Sequence, residues 1–247
     1  MIYYFDELDS TNTKIKELAK GGAGHGTVVV ADKQTAGKGR RGRTWESPEG
    51  TNLYFSILLR PTFATEKAPM LTLVMAYSAA KAIREQLHLD AMIKWPNDLV
   101  LSKKKICGIL TEMTLDGTEI DYIVVGTGIN VNLTEFPEEL KNTATSLCME
   151  KGETVDRKEL LGNVLEEFWK QYERFLEVQD LSYFQKEYNE MLVNCGKEVC
   201  VLEPGKEYLA TARGINELGE LLVTKTDGSK AVVYAGEVSV RGIYGYV

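Results

Sequence analysis

The chain has 247 residues, of which 44% are hydrophobic and 26% are charged, and its net charge at pH 7 is −7. This length and apolar content allow one large domain, or a large and a small one, with a sizeable hydrophobic core. The acidic balance argues against general nucleic-acid binding, which requires a basic face.

The 4 cysteines and 2 histidines show no spacing typical of a metal site. No two cysteines form a C-x-x-C motif, so we expect no zinc site. Scattered cysteines in a chain without a signal peptide favour the reducing cytoplasm. No apolar run approaches the ~20 residues of a membrane-spanning helix. We therefore expect a cytoplasmic protein without a membrane partner.

The N-terminal part of the chain predicts strands with helices between them. Residues 2–8 predict an opening strand, and the polar cluster after it, residues 9–12, is suited to cap a helix that runs to about residue 20. Pro69 is placed to begin a long helix with one apolar face. Apolar runs predict further strands, in part as antiparallel hairpins, at residues 27–31, 52–59, 91–94, 99–101, 106–114 and 120–129.

Two more helices are predicted after a polar, irregular loop at residues 134–153. Asp156 and Glu159 resemble a capping box that opens an amphipathic helix. Periodic aromatic and apolar residues predict a second helix from about residue 181 to residue 192.

The pattern changes near residue 194, where we place a domain boundary. Short apolar runs separated by glycine-containing turns follow, which favours a small β-barrel or sandwich. We therefore predict domains at residues 1–194 and 195–247. The short strands are predicted at residues 197–202, 206–216, 219–224, 230–235 and 238–241.

A basic segment rich in glycine, residues 34–45, lies between two predicted buried strands. Every charged side chain from Lys33 to Arg43 is basic. Glycine lets the backbone approach a ligand closely, and lysine and arginine neutralise phosphate or carboxylate oxygens. A charge run by itself is usually a solvated loop, but an excursion between buried strands is a typical place for a binding site. We therefore expect this segment to wrap an anion.

Two familiar nucleotide motifs are nearly matched but not predicted. Residues 37–44 resemble a P-loop with Arg43 in place of its lysine, yet a turn and a strand follow where that motif needs a helix. Residues 126–131 begin like a dinucleotide fingerprint, but Val131 occupies the place of its third glycine.

Three further segments carry polar groups at predicted turns. Ser10-Thr11-Asn12 follows the first strand, residues 94–98 read Lys-Trp-Pro-Asn-Asp, and a lysine triplet at residues 103–105 precedes a buried strand. Alone, the first is equally explained by a helix cap and the second by a turn, whereas the lysine triplet is better explained by a solvated loop.

Taken in order, these segments resemble the biotin–protein ligases, in the short form without an N-terminal DNA-binding domain. The resemblance spans the chain and includes a closing segment, residues 236–242, like that of the family's small barrel. Lys38 stands where the family usually has arginine, so the charge is kept but not arginine's forked contact. The matching segments are Ser10-Thr11-Asn12, Gln34 with residues 36–43, residues 94–98, Lys105 with residues 108–110, and residues 126–132.

The resemblance implies an α+β fold. A mixed sheet flanked by helices, as in the class II aminoacyl-tRNA synthetases, would be followed by a small SH3-like β-barrel. The larger domain would bind biotin and ATP. The few residues before Ser10 leave no room for a winged helix, so we expect no DNA binding. Relatives often pair through the central sheet, and we expect a weak homodimer through an exposed edge strand near residues 120–125.

The resemblance also implies the reaction. Biotin's carboxylate would attack the α-phosphate of ATP, assisted by Mg²⁺, to give biotinyl-5′-AMP and pyrophosphate. A lysine on the biotin carrier domain of acetyl-CoA carboxylase, or of a related enzyme, would then accept the biotinyl group. Positioning and fixed positive charge would supply the catalysis, with no covalent protein intermediate.

Individual roles carry over to matching positions. Lys105, Arg40 and Asp98 would be catalytic, with Asp98 contacting Mg²⁺ or ribose. Trp45 would stack on adenine and Asn130 would hydrogen-bond its edge. The implied biotin-binding residues are Ser10, Thr11, Asn12, Gln34, Gly37, Lys38, Gly39, Arg40, Lys105 and Gly108. The implied ATP- or adenylate-binding residues are Arg41, Arg43, Trp45, Lys94, Asn97 and Asn130.

Two other functions remain open at this point. A lipoate or octanoate ligase or transferase of the same fold would need an apolar end to its pocket, whereas Ser10, Thr11 and Gln34 suit a ureido head. A non-catalytic sensor of biotinyl-adenylate would share the binding residues, and only turnover separates it from an enzyme.

Overall fold

A computed structural model describes residues 1–203, 206–234, 239–242 and 247. The predicted turn at residues 204–205 lies outside the described residues, as do residues 236–238 of the closing segment. Within the described residues, no helix combines the length and apolar character that a membrane span requires.

A seven-stranded sheet forms the larger part of the protein, with the strand order β1-β2-β3-β7-β6-β5-β4. β1 and β2 pair in parallel, and the other neighbours pair antiparallel. The predicted mixed sheet is therefore confirmed. The strands are β1 (Ile2–Leu8), β2 (Val28–Gln34), β3 (Leu53–Leu59), β4 (Met92–Lys94), β5 (Asp98–Leu101), β6 (Lys104–Asp116) and β7 (Glu119–Ile129).

Helices cover both faces of this sheet, because its central strands are apolar on both sides. On β3, Phe55 and Ile57 join the large core beneath the long helices, whereas Leu58 joins a smaller core with Ile15 of the first helix. This layering confirms the α+β class. The helices are α1 (Thr11–Lys20), α2 (Met70–Leu87), α3 (Leu147–Lys151), α4 (Arg157–Val178) and α5 (Gln185–Met191).

Most helix boundaries agree with their sequence signals. Ser10 is the N-cap of α1 and Pro69 that of α2. Asp156 caps α4, since its side chain accepts the N–H groups of Lys158 and Glu159 at 2.8 and 3.0 Å. These ends were predictable because capping is a local interaction.

Two expectations about helices were wrong. The loop predicted at residues 134–153 contains α3, whose N-cap Ser146 accepts the Met149 N–H. The helix predicted from residue 181 begins at Gln185 instead. The segment before it is held in a turn, because the Leu181 N–H donates to the Glu217 carbonyl at 2.7 Å.

The expected edge strand at residues 120–125 was also wrong. These residues belong to β7, which is paired with β3 on one side and β6 on the other. The edges of the seven-stranded sheet are β1 and β4. Sequence alone does not reveal this, because a buried central strand and an apolar edge strand share the same pattern.

The C-terminal strands form a second, five-stranded sheet in the order β11-β10-β9-β8-β12, and all its pairs are antiparallel. One buried apolar cluster runs through both sheets. The division into domains 1–194 and 195–247 therefore stays a prediction. The strands are β8 (Glu198–Glu203), β9 (Lys206–Ile215), β10 (Leu221–Lys225), β11 (Lys230–Val233) and β12 (Ser239–Gly242).

A buried tryptophan joins the two sheets. Trp95 is 3% exposed and follows β4 directly. Its indole N–H donates to the carbonyl of Gly219, in the turn before β10, at 3.0 Å. The C-terminal sheet is thereby tied to the segment at residues 94–98.

We expect Trp95→Phe to lower the free energy of unfolding by about 1–3 kcal/mol, because the buried Gly219 carbonyl loses its donor. Urea denaturation measures this loss. Trp169→Phe is the matched control, since Trp169 makes ring contacts with His25 and Phe168 but donates no indole hydrogen bond within the described part of the chain. An equal loss in both variants would show that ring volume, and not the hydrogen bond, matters.

Candidate functional site

A cleft of about 450 Å³ opens between the start of α1, the glycine-rich segment and the strands β6 and β7. The parallel arrangement of β1 and β2 explains its position. Leu8 and Gln34 are register partners, so the turn into α1 and the end of β2 meet at the same edge of the sheet. Gln34 Oε1 accepts the Thr11 N–H at 2.9 Å.

The cleft brings together many of the residues predicted as ligand contacts. They come from three parts of the chain that are distant in sequence. The start of α1 contributes Ser10, Thr11 and Asn12. The end of β2 and the glycine-rich segment contribute Gln34, Lys38, Gly39, Arg40 and Trp45. The region from β5 to β6 contributes Asn97, Lys105 and Gly108.

Other predicted contacts lie outside this lining. Arg41 and Arg43 are exposed on the glycine-rich segment, where Arg41 adopts a left-handed conformation with φ 59°. Lys94 and Asn130 are buried, at 6% exposure each. The Asn130 side chain donates to the Thr145 carbonyl at 3.1 Å. The ligand roles of these four residues stay predictions.

Gly37 lies where the two arms of the glycine-rich segment come close together. A Cβ added there would lie 2.4 Å from the Trp45 carbonyl oxygen and 2.7 Å from Ser47 Oγ. The two arms of the segment are closed by hydrogen bonds, including Trp45 N–H to the Gly37 carbonyl at 2.9 Å. Only glycine fits between these arms, so Gly37 shapes the loop and does not line the cleft.

Trp45 lies flat against the backbone of the two central strands. A Cβ added to Gly128 would be 2.5 Å from its Nε1, and one added to Gly108 would be 2.8 Å from its ring. The indole N–H is buried and has no hydrogen-bond partner among the described residues. The Lys105 ammonium lies 5.1 Å from the centre of the same ring. The ring thus shapes the cleft next to a cation.

Of the cationic residues Lys38, Arg40 and Lys105 that line the cleft, the turn at residues 97–98 holds Arg40 and Lys105. Lys105 Nζ is 2.6 Å from Asp98 Oδ1. Arg40 donates to Asn97 Oδ1 at 2.8 Å. The Asn97 amide in turn donates to Asp98 Oδ1 at 3.0 Å. Two oriented positive groups of this kind can stabilise anionic oxygens without acting as nucleophiles.

Burial lowers the pKa of Arg40, and the nearby charges of Arg41 and Arg43 lower it further against the opposing effect of Asp98. An arginine nevertheless stays protonated at neutral pH. Arg40 is therefore a permanent positive charge at the cleft.

The role of Asp98 as a Mg²⁺ ligand stays a prediction. Its carboxylate is 8% exposed and its Oδ1 already contacts Lys105 and Asn97. No group of three or more His, Cys, Asp or Glu is placed to hold a metal ion in the part of the chain that the structure describes. Mg²⁺ commonly binds through substrate phosphates and a few protein carboxylates. These residues thus suit an ion that arrives with a nucleotide better than a resident one.

Sequence reasoning missed Ser47, Ser56 and Glu112. Ser56 is fully buried within the apolar strand β3 and lies 2.8 Å from Thr11 Oγ1 and 2.6 Å from Asn12 Oδ1. Ser47 Oγ accepts from Gln34 Nε2 at 2.9 Å. A lone serine in an apolar run was the available signal for Ser56, since buried polar groups need partners.

The chain is similar to known proteins in both sequence and fold. The model of the biotin/lipoate A/B protein ligase family matches residues 4–130, and that of the biotin protein ligase C terminal domain matches residues 195–241. The bifunctional ligase/repressor BirA of Bacillus subtilis is 36% identical over 241 residues, covering 97% of this chain and 74% of that protein. The biotin–[acetyl-CoA-carboxylase] ligase of Paracoccus denitrificans is 30% identical, covering 95% of this chain and 98% of its own length.

A solved structure of similar fold is the biotin protein ligase from Aquifex aeolicus in complex with biotin and ATP. It superposes with a TM-score of 0.85 at 34% sequence identity, covering 98% of both chains. The likeness therefore extends over both sheets.

We expect Gly128→Ala to push the Trp45 indole out of its place, because the new Cβ would lie 2.5 Å from Nε1. The free energy of unfolding should fall by about 1–3 kcal/mol, and acrylamide should quench tryptophan fluorescence more strongly. The added quenching should vanish in a Trp45→Phe background. Gly162→Ala is the matched control, since its Cβ would meet nothing within 4 Å. Unchanged quenching in Gly128→Ala would contradict the packing described for Trp45.

Proposed function

The chain belongs to the biotin/lipoate A/B protein ligase family, and we propose that its cleft joins biotin to AMP and then passes the biotinyl group to a protein lysine. The protein is an ATP-dependent biotin–[acetyl-CoA-carboxylase] ligase. The observation that carries the proposal is the cleft itself, where a polar pocket at Thr11 and Gln34 adjoins two oriented cations, Lys105 and Arg40.

Biotin matches the two ends of this cleft. It has a compact apolar body, a polar ureido head and a carboxylate at the end of a flexible tail. The head binds at Ser10, Thr11 and Gln34, where hydroxyl and amide groups meet. A small ligand of this kind needs a few placed polar contacts in a concave site. The carboxylate then reaches Lys105.

The first step joins two anions, so its main obstacle is electrostatic repulsion. The biotin carboxylate oxygen attacks the α-phosphorus of ATP, and pyrophosphate leaves with the electrons of the broken P–O bond. Negative charge grows on the phosphoryl oxygens during this step. Lys105 and Arg40 offset it with fixed positive charge that needs little reorientation. No side chain forms a covalent bond to biotin.

In the second step, the neutral ε-amine of a carrier lysine attacks the carbonyl carbon of the mixed anhydride. An amide bond forms, the C–O bond to AMP breaks, and the amine loses a proton to water. AMP is a good leaving group. The same cations assist its departure, because they stabilise the negative charge on its phosphate. The acceptor is the biotin carrier domain of acetyl-CoA carboxylase or a related enzyme.

Trp45 provides the surface for adenine, since it is an aromatic ring next to the cations of the cleft. Arg41 and Arg43 contact phosphates when the glycine-rich segment moves toward the nucleotide, because they are exposed on it in the structure. Lys94, Asn97 and Asn130 support the nucleotide end of the cleft. Mg²⁺, bound with ATP, would add positive charge at the phosphates.

We further infer a cytoplasmic protein that forms a weak homodimer and does not bind DNA. The net charge of −7 supports the last point. A dimer would pair through the exposed edge strand β1, since β7 is central and the outer edge of β4 is covered by Leu192 and Val193. Sedimentation velocity should show a larger species only when biotin and ATP are present, and a gel shift at low salt should show no complex. A monomer under all conditions, or a shifted band, would contradict these inferences.

Biotin is favoured over lipoate or octanoate because the pocket at Thr11 and Gln34 is polar. Gln34 Oε1 accepts the Thr11 backbone N–H in it, and buried polar groups left without a ligand partner disfavour an apolar tail. A sensor that binds biotinyl-adenylate without turnover would show the same contacts. Catalysis itself must therefore be measured.

We expect biotin-dependent ATP–pyrophosphate exchange with Mg²⁺, and none with lipoate or octanoate. Lys105→Met should slow the exchange about 100- to 1000-fold, because a cation at the reacting oxygens is lost. Lys104→Met is the control, since the neighbouring Lys104 donates to the Lys141 carbonyl outside the cleft, and it should keep wild-type activity.

Exchange with lipoate or octanoate instead of biotin would assign the chain to the other branch of the family. Tight binding of biotinyl-adenylate without any exchange would make it a sensor. Equal losses in Lys105→Met and Lys104→Met would remove Lys105 from its proposed role.

A further inference from the structure

A chain of polar groups runs from the half-buried Glu112 on β6, through the buried Asn12 and Ser56, to Thr11 at the wall of the cleft. Glu112 Oε1 is 2.6 Å from Lys16 Nζ, and its Oε2 accepts from Asn12 Nδ2 at 2.7 Å. Burial raises the pKa of Glu112, but hydrogen bonds from Lys16 and Asn12 and the charges of Lys16 and Lys38 lower it more, so that it lies below the ordinary value. Glu112 is therefore ionised at neutral pH and can only accept hydrogen bonds.

This carboxylate, at 2.7 Å from Asn12 Nδ2, and the Leu110 carbonyl, at 3.5 Å from it, decide which way the Asn12 amide points. Only the NH₂ group can face an ionised carboxylate, so the carbonyl oxygen Oδ1 must face Ser56, which lies 2.6 Å away. The amide is also confined, because a Cβ on Gly126 would come within 1.9 Å of Oδ1. Asn12 is 4% exposed, so solvent offers it little alternative.

The direction of the amide sets the direction of the next hydroxyl. Ser56 has one proton and two oxygen neighbours, Asn12 Oδ1 at 2.6 Å and Thr11 Oγ1 at 2.8 Å. Each of these short contacts needs a proton between its oxygens. An amide oxygen has none to give, so Ser56 donates to Asn12. The proton between Ser56 and Thr11 must then come from Thr11.

The Thr11 hydroxyl therefore donates its hydrogen bond to Ser56, and its oxygen lone pairs face the cleft. Its remaining polar neighbour, Gln34 Oε1, is farther away at 3.2 Å and already accepts the Thr11 backbone N–H at 2.9 Å. A hydroxyl in this state accepts from a ligand N–H and repels a ligand oxygen.

We propose that Glu112 is a positioning residue that acts through Asn12 and Ser56 to make the Thr11 hydroxyl a hydrogen-bond acceptor toward the cleft. This arrangement selects ligands whose polar head has an N–H group facing the Thr11 hydroxyl. The inference rests on the proposed function, because the ureido ring of biotin supplies that N–H.

Removal of the carboxylate would free the chain to reverse. In Glu112→Ala, only the longer contact with the Leu110 carbonyl still favours the original direction, so the Asn12 amide can turn over and present its NH₂ to Ser56. Ser56 would then donate to Thr11, whose proton becomes available to the cleft. Ser56→Ala removes the acceptor of the Thr11 proton directly and should have the same effect.

The test compares two nearly isosteric ligands by isothermal titration calorimetry. One is biotin, and the other is a cyclic carbamate in which a ring oxygen replaces one ureido N–H, made for each nitrogen in turn. Wild-type protein should bind biotin about 10- to 100-fold more tightly than the carbamate whose oxygen faces Thr11, since a buried contact becomes repulsive. In Glu112→Ala and Ser56→Ala this ratio should fall about tenfold.

The ratio separates selection from general damage, because a distorted site weakens both ligands alike. Ser78→Ala is the control for loss of a buried hydroxyl, since Ser78 donates to the Val74 carbonyl within α2. Glu119→Ala is the control for loss of a carboxylate, since Glu119 is exposed at the start of β7. Both should keep the wild-type ratio.

Wild-type selectivity that is unchanged in Glu112→Ala and Ser56→Ala would overturn this inference and leave the proposed function intact. A wild-type protein that binds neither biotin nor biotinyl-adenylate would overturn the proposed function, and this inference with it.

Discussion

The floor of the cleft depends on close approach to glycine on the two central strands. An added Cβ would lie 1.9 Å from Asn12 at Gly126, 2.5 Å from Trp45 at Gly128 and 2.8 Å from Trp45 at Gly108. Glycine within a strand weakens it, because it has no side chain to pack. Here it lets an amide and an indole lie directly on the backbone. The polar side of the cleft at Asn12 and its aromatic side at Trp45 both depend on this close contact.

Positive charge is concentrated in the cleft of an acidic protein. Lys105 and Arg40 come from different parts of the chain, yet both are oriented by adjacent residues, Asp98 and Asn97. The cations are therefore in place before a ligand arrives, which is the condition under which fixed charge lowers a reaction barrier most. Trp95 precedes the same turn in the chain, and its indole N–H donates to the Gly219 carbonyl next to the C-terminal sheet. That sheet thus supports the chemistry through packing and one hydrogen bond, at a distance from the reacting groups.

Much of the fold and most of the site segments could be predicted from the sequence. The ends of α1, α2 and α4 were evident because caps are local. The glycine-rich basic segment was evident because its composition is unusual for a buried neighbourhood. By contrast, Ser56 and Glu112 gave only weak signals, since their partners on α1 are 44 and 100 residues away in sequence. Their roles exist only after the sheet has formed.

The sequence by itself determined the family, the order of strands and helices along the chain, and the basic and polar residue types of the candidate site. Tertiary structure alone decided which of these residues share the cleft, because pairing between strands is non-local. It placed β7 in the middle of the sheet and not at its edge. It put Asn130 beside the Thr145 carbonyl and Asp98 beside Lys105. Local pattern reports which face of a strand is apolar, whereas the neighbour of each side chain depends on register and topology.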